Sequence, residues 1–254
     1  MIGGPQPLTR EQRRELVEQI SAHLHAHYGA ELLALGVYGS VAREEDGPFS
    51  DIEMHCILRG NGVETNYEWS AGPWKAEVDV YSWDVIQDMA ARVEGDWALT
   101  QRAYTQVMPV YDPQDLFARL VELVFSQPEQ VYRAALHDLV VGEIYELIGK
   151  LRNCRVTGMH APVTWFTTEL AVRGVLLVGL AERHLFHSAS RMFTEVLELP
   201  GKPNGLPELC QLVIAGDLSD SEIIFPVCDA FWHGVEAWAD KHGIQIAAHP
   251  TIPI

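Results

Sequence analysis

The chain has 254 residues, 48% of them apolar and 9% aromatic, with no low-complexity tract; it can bury a sizeable core, and wholesale disorder is excluded. Its 35 acids against 18 Lys and Arg leave a formal net charge of −17. That argues against a nucleic-acid partner, which needs a basic surface to displace counterions, and fits a cationic ligand drawn to an acidic cleft. The same charge also serves plain solubility. Cys56, Cys154, Cys210 and Cys228 are scattered without a C-x-x-C pair, so neither a zinc site nor a disulfide framework is expected, and reduced thiols in a cytoplasm fit best. The N-terminus lacks the charged-then-apolar order of a signal peptide.

In chain order, Thr9 and Gln12 make a capping-box pattern ahead of a helix in which Leu16, Ile20 and Leu24 recur at four-residue spacing and Gly29 ends the run. His23, His25 and His27 in this helix read as solvated surface. LLALGVYGS then reads as a buried strand ending at Gly39, DIEMHCIL as a second strand and WKAEVDVYSW as a third. In the third, Ala76, Val78 and Val80 take one face, while Glu77, Asp79 and Tyr81 take the other, the period of two of a half-buried strand. Trp69, Trp74 and Trp97 are expected to pack. Beyond Tyr111-Asp112-Pro113 long helical periodicities replace strands, and Ser219 with Glu222 forms a second capping box ahead of a helix that Gly243 closes. The most apolar window, residues 170–180, contains Arg173 and is shorter than the ~20 residues of a spanning helix, so a buried helix is expected and no membrane. The fold class is therefore α+β, a mixed sheet with helices followed by an all-α bundle. The boundary falls within residues 112–127, giving domains 1–125 and 126–254.

The stretch GVYGSVAREEDGPFSDIEMHCIL carries the chemistry. Asp51 and Glu53, two apart on a strand, present paired carboxylates to one surface, and Glu77 or Asp79 can join them from a neighbouring strand. Acids brought so close repel unless a cation lies between them, and hard carboxylate oxygens beside substrate phosphates suit Mg²⁺. Gly39 leaves room for a phosphate, Ser40 offers a hydroxyl and Arg43 an anion-binding fork. Taken singly, a Gly-Ser turn or a D-x-E on a strand is an ordinary turn and an ordinary wet face. Glu143, Glu146 and Lys150 form one polar stripe of a later helix whose apolar stripe is Leu136, Val140, Ile144, Leu147 and Leu151.

Gly39-Ser40, the spaced Asp51-Ile52-Glu53 and the later strand with Glu77 together resemble the signature of the DNA polymerase β-like nucleotidyltransferase superfamily. Within it, GVYGS, DGPFSDIEMHC, EWSAGPWKAEVDVYS, MPVYD, EIYELIGKLRN and GDLSDSE are similar, in nearly constant register over most of the chain, to the aminoglycoside 4'-O-nucleotidyltransferases. The resemblance implies AMP transfer from Mg-ATP to the 4'-hydroxyl of kanamycin-, tobramycin- or amikacin-type antibiotics. It implies Asp51, Glu53 and Glu77 as metal ligands, Ser40, Arg43 and Lys150 on the phosphate side, and Glu146 as general base. Glu53, Glu68, Lys75, Glu77, Asp96, Glu143 and Glu146 would surround the antibiotic. It also implies a homodimer with sites at the subunit interface. Asp79 stands where the family has an amide and is expected to be a surface residue. His187 and Ser188 replace a threonine pair of the family. The competing readings are a nucleotidyltransferase with another acceptor and a catalytically inactive, antitoxin-like binding module.

Overall fold

A computed structural model describes residues 4–247; the outermost residues of the N-terminal segment and of the expected second domain lie outside it. The chain forms two compact units. One comprises the residues up to Arg92 together with Gln101–Gln127, and the other Val93–Thr100 together with the residues from Pro128 onward.

The first unit opens with helix α1 (Arg10–Tyr28). Its capping box is complete: the Thr9 hydroxyl accepts from the Gln12 backbone N–H at 3.2 Å, and the Gln12 side chain accepts from the Thr9 N–H at 2.9 Å. Strands β1 (Leu32–Tyr38), β2 (Ile52–Leu58), β3 (Glu64–Ser70), β4 (Lys75–Ser82) and β5 (Met108–Tyr111) form one sheet in the order β3-β4-β2-β1-β5. β2 and β4 run parallel, and the other neighbours are antiparallel. The end of β1 and the starts of β2 and β4 therefore meet at one end of the sheet.

One face of the sheet is sealed by α1, where Val17 and Ile20 meet Leu35, Val37, Met54, Cys56, Val78 and Val80. The opposite face is covered toward the far end of β2 and β4, where His55 is stacked against Tyr104 and where a Cβ at Gly36 would run into Val107 and Phe117. The short helix α2 (Gly39–Ala42) follows β1, and α3 (Trp83–Ala90) follows β4. The chain then passes through α4 (Trp97–Thr100), a turn of the second unit in which Trp97 is fully buried, and returns with α5 (Arg102–Thr105), β5 and α6 (Leu116–Val124).

Arg13 of α1, 1% exposed, straps down the connection to β2. It pairs with Asp46 and donates to the carbonyls of Gly47, Pro48 and Ser50 at 3.0, 3.3 and 3.3 Å. That fixes the segment immediately preceding Asp51.

β4 is not half-buried: its residues from Val78 to Ser82 are buried on both faces, because β2 and β3 flank it and the polar face is roofed as well. Asp79, expected at the surface, is 9% exposed. Strands β3 and β5 are additions to the three strands expected from the sequence: in β3, Thr65, Tyr67 and Trp69 alternate with Glu64, Asn66, Glu68 and Ser70 on a largely exposed strand, whereas the four exposed residues of β5 show no alternation.

The second unit is helical: α7 (Glu129–Asp138), a π-helical segment Leu139–Ile144, α8 (Tyr145–Thr157), α9 (Val163–Ala181), α10 (Met192–Glu198), α11 (Leu206–Ala215) and α12 (Ser221–Lys241). The apolar stripe Leu136, Val140, Ile144, Leu147 and Leu151 is buried as its spacing requires. α9 is long and apolar enough by composition to cross a membrane, yet it packs against α8, α10, α11 and α12 with Leu170, Val175, Leu177 and Leu180 fully buried; it is the central helix of this unit. The cap of α12 differs from expectation. Asp220, not Ser219, accepts from the Glu222 N–H at 2.9 Å, while the Ser219 hydroxyl donates to Asp217, because an aspartate one residue closer reaches the helix terminus first.

Candidate active site

Strand register assembles the first cluster. Tyr38 of β1 lies opposite Glu53 of β2, Glu53 opposite Glu77 of β4, and Glu77 opposite Glu68 of β3, so three acids from adjacent strands stand in a row on one face. Asp51, two residues before Glu53 and just ahead of β2, extends the same face outward. Burial pushes the Glu53 carboxyl up to about 7, and the charges of Asp51 and Glu77 push in the same direction, while Arg43 and Lys75 are near enough to oppose them. An acid raised in this way is electrostatically short of a positive charge.

Part of that charge comes from within. The Lys75 ammonium lies 2.6 Å from Glu68 and 3.7 Å from Asp51, and the Glu68 hydrogen bond raises its own pKa. The Asn66 amide donates to Glu77 at 2.8 Å. Among the described residues, no three acidic, His or Cys side chains close into a ready-made cation cage. Oxygens of Asp51, Glu68 and Glu77 are thus engaged by Lys75 and Asn66, and carboxylates are the kind of hard donor that a cation such as Mg²⁺ accepts.

Gly39 touches this row for a reason that its sequence context does not reveal. Its φ is +72°, and a Cβ there would collide with the Glu53 carboxylate. The glycine thus lets the turn after β1 close over Glu53. Ser40 follows in α2, half-buried, and Arg43 pairs with Glu45 at 3.3 Å beside it.

The second cluster lies in the helical unit. Glu146 and Lys150 form an ion pair of 2.7 Å along α8, and Glu143 of the π-helical segment meets Arg173 of α9 at 2.5 Å. Arg173 also lies 3.4 Å from Glu169. A cavity of about 190 Å³ is lined by Glu143, Glu146, Lys150, Trp165, Phe166 and Arg173, and a neighbouring one of about 270 Å³ by Glu94, Asp96, Glu143 and Arg173. Asp96, Glu143, Glu146 and Lys150 are therefore gathered in one unit, and Asp51, Glu53, Glu68, Lys75, Glu77, Gly39, Ser40 and Arg43 in the other.

Arg173 was not expected at the site; an arginine interrupting the apolar run 170–180 was the available signal. The π-helical widening at Glu143 leaves no such mark in the sequence, yet such segments recur at functional sites. At the other departures from the family, the His187 N–H donates to Glu195 at 2.9 Å, and the Ser188 and Ser190 hydroxyls are 2.9 Å apart. A cavity of about 390 Å³ lies under α1 among Ile20, Leu24, Tyr28, Tyr67, Trp69 and Val78. It is apolar and on the sheet face opposite the acids, so it is not the place for phosphate chemistry.

Residues 114–245 match the KNTase C-terminal domain family. Two curated proteins, each named aminoglycoside nucleotidyltransferase (4'), from Staphylococcus aureus and a Bacillus species, are 35% identical to this chain over 252 residues, spanning 99% of it and 100% of each relative. The chain belongs to the aminoglycoside nucleotidyltransferase (4') family. Membership makes it a nucleotidyltransferase enzyme, with the acid row on the strands and the charged stripe on α8 as its candidate working surfaces. A nucleotidyltransferase-like protein from Exiguobacterium sibiricum 255-15 shares the fold, with a TM-score of 0.54 at 13% identity over 88% of this chain and 74% of its own.

Proposed function

We propose that the enzyme transfers AMP from Mg-ATP to the 4'-hydroxyl of kanamycin-, tobramycin- or amikacin-type antibiotics and thereby confers resistance. The observation that carries this reading is the row of Glu53, Glu77 and Glu68 across three adjacent strands, with Glu53 pushed up to about 7, in a chain 35% identical along 99% of its length to proteins named aminoglycoside nucleotidyltransferase (4'). A polyamine drug also matches a net charge of −17.

Asp51, Glu53 and Glu77 would hold Mg²⁺, which when bound neutralises charge on the triphosphate. Gly39, Ser40 and Arg43 would receive the phosphates at the turn after β1. Glu146 would take the proton of the attacking sugar hydroxyl, whose oxygen bonds to the α-phosphorus as the bond to pyrophosphate breaks. Lys150, beside Glu146, would offset charge that builds on the phosphate oxygens. Glu68, Asp96 and Glu143 would accept from the drug's ammonium groups, and Lys75 would yield its place between Glu68 and Asp51 as cations arrive. The two compact units act as a catalytic domain and a completing domain, and in a homodimer the helical unit of one subunit completes the site of the other. Both substrates are met in the cytoplasm, where the buried, unpaired cysteines stay reduced.

Mass spectrometry of kanamycin, tobramycin and amikacin after incubation with enzyme and Mg-ATP tests this directly. A gain of one adenylate, placed on the 4' oxygen by fragmentation, is the expected result. Unmodified drug, or adenylate at another position, would overturn the assignment.

A further inference from the structure

We propose that Asp79 and Asn66 form a positioning pair that sets the Glu77 carboxylate and anchors the Gly39-Ser40 turn to the acid row. This rests on the reading above that Glu77 belongs to the site. Asp79 lies two residues beyond Glu77 on the same face of β4, directly across from Asn66 on β3 and from His55 on β2. Its carboxylate is almost fully enclosed and collects three donors: the Tyr38 hydroxyl at 2.9 Å, the Asn66 amide at 2.8 Å and the Tyr81 hydroxyl at 3.3 Å. The His55 ring stacks on Tyr38 with its centroid 4.2 Å away and is tied to the Ala103 carbonyl through Nε2 at 3.0 Å, which fixes the wall behind this cluster.

Two arms leave Asp79 toward the chemistry. Through Asn66, whose Nδ2 lies 2.8 Å from both Asp79 and Glu77, both protons of one amide are committed to two carboxylates. Asp79 fixes the amide, and the amide takes one Glu77 oxygen while leaving the other available. Through Tyr38, the residue immediately before Gly39 and opposite Glu53, the same carboxylate pins the point where β1 turns into α2. An aspartate suits this position better than an amide. It accepts from all three donors at once, whereas an asparagine would turn N–H groups toward at least one of them. Partners that orient a ligating carboxylate in this way are worth ~10- to 100-fold in metal affinity or activity.

The test uses the full chain with Mn²⁺ as the probe, its binding followed by loss of the free-ion EPR signal, alongside thermal melts and adenylyl-transfer rates. Asn66→Ala, a change on an exposed edge strand that leaves Asp79 its two tyrosine donors, is expected to weaken Mn²⁺ binding and lower kcat by about tenfold with only a small drop in melting temperature. Asp79→Asn is expected to do the same and to lower the melting temperature further. A tenfold loss of Mn²⁺ affinity in Asn66→Ala chains that still melt as a folded protein is a separation that a purely structural role would not produce. If Glu77→Gln weakens Mn²⁺ binding while Asn66→Ala leaves it at the parent value, the positioning pair is refuted. If Glu77→Gln itself binds Mn²⁺ as the parent does, it is the acid row that fails, and this inference with it.

Discussion

At Gly39 the backbone turns with φ at +72°, and the missing Cβ leaves the space that the Glu53 carboxylate fills. Replacing it by alanine adds both a strained backbone and a collision. Gly39→Ala should cost about 1–3 kcal/mol in urea denaturation and reduce transfer more than the stability loss alone explains, because Glu53 must move. Arg13 acts at the same scale from outside the site. With Arg13 and Asp46 side chains 1% and 4% exposed, its removal leaves a carboxylate buried with only the exposed Arg10 nearby. Arg13→Ala is expected to destabilise by about 3 kcal/mol or more and to raise the Mg²⁺ concentration needed for half-maximal rate, since the strap that places Asp51 is gone; titrations of denaturant and of Mg²⁺ check the two effects.

At the scale of elements, the parts legible in the sequence were those whose burial is periodic. β1, β2 and β4 carry apolar residues at regular spacing, and the helix running through residues 136–151 shows a complete apolar stripe that the structure buries. β3 carries a period of two in Thr65, Tyr67 and Trp69 but no aliphatic run, since every residue of it faces solvent at least partly, and the place of Asn66 opposite Asp79 is visible only once its strand is paired with β4. That Glu77 or Asp79 joins Asp51 and Glu53 from a neighbouring strand was legible, but not that Glu77 is the one opposite Glu53 or that Glu68 extends the row, since pairing register between distant strands leaves no local trace. Asp79 was misread for a related reason: polar alternation on a strand says which face a residue takes, not whether another layer covers that face. Arg173 shows the reverse, a charge in an apolar helix that finds Glu143 and Glu169 at the rim of the core. Because α9 is the helix the others pack on, Leu177→Ala should cost ~2–5 kcal/mol, read from the denaturation midpoint.

For the whole molecule, the division of site residues between two compact units frames the question of assembly. In the proposed homodimer, Asp51, Glu53 and Glu77 of one subunit would work with Glu146 and Lys150 of the other. Mixing Asp51→Asn chains with Glu146→Gln chains, each inactive alone, then creates one intact site in each mixed dimer. After subunit exchange about a quarter of the parent rate should return, by random pairing of equal amounts. A rate that stays at zero, with exchange verified by differently tagged chains, would place the whole site within one subunit.

The measurement closest to the central claim is product formation from tobramycin and Mg-ATP, followed by mass spectrometry for the parent and for Glu53→Gln side by side. Removing a charge that Asp51 and Glu77 repel should leave the melting temperature of Glu53→Gln at or above the parent's while adenylated drug falls by a factor of about 10³ or more. Adenylation at the parent rate by a folded Glu53→Gln enzyme would contradict the account.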